Sequence, residues 1–253
     1  MDTVETADER RGGWAGVRER VAALRNAPFA AEVFGAGRAA GHGFLLEEPL
    51  EESQVASAEA QFGVRLPPDY RSFLLDVGAG GAGPAYGLFP LRRDGRGWYW
   101  DEGGARGDGT LLAQDFLSEE ERARLESGLD AREPVEADFP DGESYRAAFL
   151  AWDAECERLD AWTTAGALRL GHEGCGSCTW LAVTGPERGT LWFDGRAADL
   201  PLEPLSGGAG RLGFRGWYLD WLDRAALAAR GPVTPRRAAG VHRSVPAGRY
   251  RAR

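Results

Sequence analysis

Residues 53–91, SQVASAEAQFGVRLPPDYRSFLLDVGAGGAGPAYGLFPL, constrain the fold more than any other stretch of the chain. Ser53 can accept hydrogen bonds from free N–H groups, Val55, Ala58 and Phe62 fall on one helical face, and Gly63 supplies a stop. This predicts a short amphipathic helix. After a turn over Val64–Pro68, Tyr70, Phe73, Leu74 and Val77 recur at i, i+3, i+4 and i+7 before Gly78, which predicts a second helix entered through a proline. Tyr86–Leu91 then forms a brief apolar run after a glycine-rich turn and reads as a first strand. A helix pair feeding a sheet follows from these residues, and no chemistry.

The rest of the chain adds elements around that unit. Trp14, Val17, Val21 and Leu24 predict a helix ending before Pro28, its Trp14 face packed on the body. Trp98-Tyr99-Trp100 in an extended run must place rings on both faces of a strand. Either they are core, or one is an aromatic anchor at an interface. Ser118 caps a helix over Glu119–Gly128, and Tyr145, Phe149, Trp152, Cys156 and Leu159 mark a longer one over Ser144–Trp162. Short β-rich runs at Ala167–Leu170, Thr179–Thr184, Thr190–Phe193 and Ala198–Leu202, separated by glycine turns, imply an antiparallel sheet. Phe214, Trp217, Tyr218, Trp221 and Leu222 give a last helix that ends at Gly231-Pro232.

The order Glu59, Gly63, Leu66-Pro67, Asp69-Tyr70-Arg71, Phe73-Leu74, a glycine loop and Tyr86-Gly-Leu-Phe-Pro resembles the signature of the SUKH superfamily of Smi/Knr-like domains. Gly174-Cys175-Gly176, the Leu181–Gly185 and Gly189–Trp192 runs and the helix around Trp217–Leu222 extend the resemblance to about residues 43–224. It implies an α+β fold, a twisted antiparallel sheet flanked by helices. It also implies a non-enzymatic protein-binding role. Bacterial members are commonly immunity proteins that neutralise a cognate toxin by direct binding; fungal relatives suggest a regulatory scaffold in cell-wall or signalling assemblies.

The domain reading is an N-terminal helical extension over residues 1–42 and a SUKH-like domain over 43–230 with a helical insertion near 110–165. A basic tail without apolar periodicity follows over 231–253. Nine Trp, eleven Phe and 43% hydrophobic residues suffice for a sizeable core. No run approaches a membrane span and the N-terminus lacks secretory character, so a cytoplasmic location is expected. Three cysteines do not make a disulfide framework. All 30 basic side chains are arginine, the signature of a GC-rich bacterial genome.

The net charge is −9, but residues 231–253 hold six arginines and no acid, so residues 1–230 carry −15. An acidic body repels nucleic acid and steers a basic protein partner, with a toxin domain as the candidate, toward itself. The candidate partner-binding patch joins Glu47, Glu48, Glu51 and Glu52 with Asp101 and Glu102 beside Trp98 and Trp100. The plainer reading of those acids is a solvated entrance to the first helix.

Three motifs suggest chemistry and are set aside. Gly78-Ala-Gly80-Gly-Ala-Gly83 fits G-x-G-x-x-G, but it follows a helix and precedes a strand, so no helix N-terminus receives a phosphate. His172, Cys175 and Cys178 form H-x2-C-x2-C without a nearby fourth zinc ligand, and an extended segment would split them across two faces. A Cys175 couple with His172 or His42 would make a thiol enzyme, yet nothing in the sequence places them together. No cofactor, metal or catalytic residue is expected.

Overall fold

A computed structural model describes residues 13–37, 41–107, 109–208 and 210–231, apart from the Ala161 side chain. Beyond Gly231 the basic tail lies outside the described residues, as do residues 1–12 of the N-terminal extension. Helix α1 is Val17–Leu24, α2 Glu52–Phe62 and α3 Pro68–Asp76. Strands β1 (Leu91–Asp94), β2 (Gly97–Glu102) and β3 (Ala105–Gly107) follow. Then come α4 (Glu119–Asp130) and α5 (Gly142–Trp162). Strands β4 (Ala167–Gly174), β5 (Ser177–Ala182), β6 (Leu191–Asp194) and β7 (Leu202–Pro204), the ribbon β8 (Ser206–Gly207) and β9 (Gly210–Arg211), and helix α6 (Phe214–Arg230) complete the order.

The class is α+β with every ladder antiparallel, and the strands divide among three sheets, β1-β2-β3, β4-β5-β6-β7 and β8-β9. The apolar run Tyr86–Leu91 is not the first strand. It contributes one bridge, Gly81 to Leu88, before the ladder begins at Leu91. Gly87, at φ 98°, and Pro90, which has no N–H to donate, break the ladder. The segment instead straps two sheets together, with Phe89 N–H donating to Leu170 O at 2.7 Å and Leu91 N–H to Ala79 O at 2.9 Å. The last strand likewise starts at Leu202, because Arg196–Ala198 coils into a 3-10 turn and Asp199 takes φ 58°.

The main core lies where α1, α2, α3 and α6 meet the sheets. Trp14, just before α1, is 3% exposed, packs edge-on to Phe73 at 5.4 Å and Tyr218 at 5.9 Å, and donates its indole N–H to Ser72 Oγ at 2.9 Å. All four periodic positions of α3, Tyr70, Phe73, Leu74 and Val77, are buried. The cap of α2 is two residues earlier than Ser53 suggests: Glu51 N–H donates to Gln54 Oε1 at 2.8 Å. A smaller core holds Phe116, Ala167, Ala182, Trp192 and Leu202.

Candidate partner-binding surface

Several of the residues that carry the family resemblance are buried, Glu59, Leu66, Tyr70, Phe73 and Leu74 among them. Glu59 is 8% exposed, and its Oε1 accepts from Leu66 N–H at 2.9 Å and from Arg71 Nε at 3.2 Å, which ties the α2–α3 turn to both helices. Tyr70 OH accepts from Trp100 Nε1 at 2.9 Å, and Phe62 stacks on the Trp100 ring at 4.6 Å. The glycine loop after α3 serves backbone contact and has no helix behind it. Gly81, at φ 101°, bridges to both Leu46 and Leu88, and a Cβ there would lie 2.4 Å from Leu45 O. Ala82 O accepts from the buried Tyr218 hydroxyl at 2.8 Å.

The structure brings part of the acidic patch together and pairs most of it with arginine. Arg92 spans Glu47 at 2.6 Å and Asp101 at 3.2 Å, which makes neighbours of two acids 54 positions apart. Glu48 meets Arg18 at 3.4 Å and remains 88% exposed. Glu52 pairs with Arg71, the same guanidinium that reaches Glu59. Glu102 is turned to Arg169 at 2.9 Å and is only 14% exposed, so it lies apart from the others. Among the described residues Glu51 makes no ion pair; it is exposed and caps α2. Sequence reading missed these arginines because every pair with an acid of the patch, except Arg92–Asp101, joins residues at least 19 positions apart.

The aromatic members of the patch are a correction. Trp98 is 3% exposed and Trp100 1%, so neither ring is available to a partner. Residues two apart share a face of β2, and helix α2 claims that face: Gln61 pairs with Trp98 N–H and C=O at 2.7 Å each, and Ser57 Oγ accepts from its indole at 3.1 Å. Tyr99 takes the outer face, half-buried under the Arg106 guanidinium at 4.1 Å.

The His-Cys cluster lies on a hairpin with its bend at Gly174-Cys175-Gly176, not on one extended run. Gly174, Cys175 and Gly176 all take positive φ, and β4 and β5 pair His172 opposite Cys178. His172 stacks on Tyr86 at 4.6 Å, while the Cys178 sulfur accepts from Arg169 Nε at 3.1 Å. Burial pushes the Cys178 thiol up, against the opposing pull of Arg169. Cys175 sits exposed at the bend. His42 is elsewhere, its Nδ1 accepting from Phe44 N–H at 3.0 Å, and burial lowers its pKa to about 4. Among the described residues no three His, Cys, Asp or Glu side chains are grouped to hold a metal ion, and no helix is long and apolar enough to cross a membrane.

One apolar groove of about 420 Å³ opens between α6, the glycine loop and the β4–β6 strands, lined by Val33, Phe34, Ala85, Phe193, Trp217 and Trp221. Phe34 is 64% exposed at its edge.

No curated protein and no solved structure matches the chain. The model of the SMI1 / KNR4 family (SUKH-1) matches residues 49–193, which take in the α2–α3 unit, the glycine loop and the strands through β6. That span is more than half of the 253 residues and holds the Glu59, Arg71 and Trp100 contacts described above, so the chain belongs to the SMI1 / KNR4 (SUKH-1) family.

Proposed function

We propose that this protein is a non-enzymatic binding module that neutralises a toxin by direct contact, and that its partner is a basic protein met in the bacterial cytoplasm. The observation that carries the reading is how the polar groups are used. Glu59, Arg71, Trp100 and the glycine loop are spent on internal bonds, while Glu48 and Glu51 stay exposed and the chain as a whole carries −9. A surface of one sign speeds encounter with a partner of the other and disfavours anionic nucleic acid. Glu47, Glu48, Glu51, Glu52 and Asp101 are proposed as one steering region, with Glu48 and Glu51 its least screened members.

The test is co-expression with a basic toxin domain, taken from the neighbouring genes if one is encoded there, read as survival of the producing cells and as a 1:1 complex by titration calorimetry. Survival with a complex whose association slows as salt rises supports the reading. Survival without a complex, or turnover of the toxin or its product by this chain, overturns it.

A further inference from the structure

Residues 111–160 carry fifteen Asp and Glu against five Arg, a net −10, whereas the whole chain is −9. Two thirds of the −15 carried by residues 1–230 therefore resides in the α4–α5 hairpin and its approach, the rest of that span carrying −5 and residues 231–253 carrying +6. Among the described residues only Glu119, Glu155 and Asp160 of these fifteen acids meet an arginine, through Arg211, Arg132 and Arg196. The patch around Glu47 is the reverse, since five of its six acids are paired.

The hairpin also keeps an apolar stripe that the fold leaves partly open. Helix α5 is 21 residues long, about 30 Å, and among its described side chains none belongs to either core. Its main neighbours are α4 and the turn at residues 136–138. Phe139, Tyr145, Phe149 and Trp152 form a run of ring contacts at 5.8, 6.1 and 5.5 Å, and each ring is half-buried. Leu125, Val135, Leu150 and Trp162 on the same hairpin are 46–59% exposed. The hairpin is anchored at its base, where the Arg122 guanidinium lies over Phe116 at 5.4 Å and Trp192 at 4.7 Å and Asp160 pairs with Arg196. Its tip, near residues 131–141, stands about 18 Å further along the helices.

We infer that the α4–α5 hairpin is the surface that captures the partner, a basic protein that seats an apolar segment against the Tyr145–Trp152 stripe. The inference rests on the proposed function and names the surface it uses. Charge selects the occupant. A second copy would oppose −10 with −10, and anionic membranes and nucleic acids are repelled in the same way. The chain's own tail is basic, with six arginines, but it has no apolar periodicity to cover an aromatic stripe. A basic partner offsets the self-repulsion of the hairpin, and Trp and Tyr are among the side chains on which binding energy concentrates.

The experiment places a photo-crosslinking residue in the full chain at Leu150, at Glu157 one heptad further along α5, or at Glu48 for comparison, and irradiates the producing cells. The expected result is one common adduct from positions 150 and 157 with a basic protein. That protein, purified, should bind the unmodified chain, and Leu150→Asp should weaken the complex at least about tenfold while leaving the melting temperature within a few degrees. An adduct with a basic protein from position 48 alone overturns the hairpin and leaves the proposed function standing. Adducts of the hairpin with residues 232–253, with a second copy or with an acidic protein overturn it in favour of another occupant. No adduct at any of the three positions counts against both claims.

Discussion

Glu59→Ala tests the claim that the residues shared with the family hold the fold. Glu59 is 8% exposed and accepts from two donors, one of them the backbone N–H of Leu66, which is 2% exposed. Truncation leaves that N–H buried without an acceptor, at about 1–3 kcal/mol. It also frees one side of the Arg71 guanidinium, which is 19% exposed and keeps Glu52, so the added loss is about 1 kcal/mol. The sum is about 2–4 kcal/mol, or roughly 4–16 °C in melting temperature for a chain of this size. Glu59→Gln keeps an oxygen for Leu66 and loses only the charge, so it should cost about 1 kcal/mol. Urea and thermal melts of the three proteins decide the matter. A loss below about 1 kcal/mol for Glu59→Ala, or equal losses for Ala and Gln, would refute the assignment of the larger share to the Leu66 N–H.

Gly81→Ala should cost more than about 3 kcal/mol, because φ 101° and a Cβ 2.4 Å from Leu45 O strain the backbone. Gly128→Ala, in open space within α4, should raise stability by about 0.5–1 kcal/mol, and thermal melts compare the two. His42 has its pKa lowered from 6.5 to about 4 by burial, so the unfolded chain binds the extra proton first. Stability from this group is therefore full above pH 6.5 and is lost as pH falls toward 4, by about 3 kcal/mol. His42→Asn, which keeps an acceptor for the Phe44 N–H, should flatten that limb of a pH series of urea midpoints. Arg92→Ala should leave stability within about 1 kcal/mol, since the Glu47–Arg92–Asp101 triad is half-exposed, and by unmasking two carboxylates it should speed association with a basic partner at low salt in stopped-flow.

The sequence made the α2–α3 pair legible because its signals are local: apolar spacing, a proline entry and a glycine stop act within a dozen residues. The bend at Gly174-Cys175-Gly176 was readable for the same reason, whereas the register that sets His172 opposite Cys178 was not. Local pattern also showed that Trp98, Tyr99 and Trp100 divide between two faces. It did not show which face is inside, because Gln61, Ser57 and Phe62 settle that from another element. The acidic patch failed in the same manner. A run of glutamates is visible in the chain, and the Arg18, Arg71, Arg92 and Arg169 that neutralise it arrive only with the tertiary fold.

If the α4–α5 hairpin is the capture surface, stability and recognition are carried by different residues in this chain, and the separation has a physical origin. Glu59, Trp100 and Gly81 make their contacts in the interior, where a missing bond or an added methyl group has no water to relieve it. None of the described side chains of helix α5 belongs to either core, so charge and apolar area can change along it at little cost to folding. Substitutions in the α2–α3 unit should therefore lower the melting temperature and leave the kinetics of the surviving folded fraction intact, while substitutions on α5 should do the opposite. A chain built this way can hold one scaffold constant and alter what it recognises through one hairpin, because the anchor of that hairpin, Arg122 against Trp192, lies at its base and away from the surface that a partner would touch.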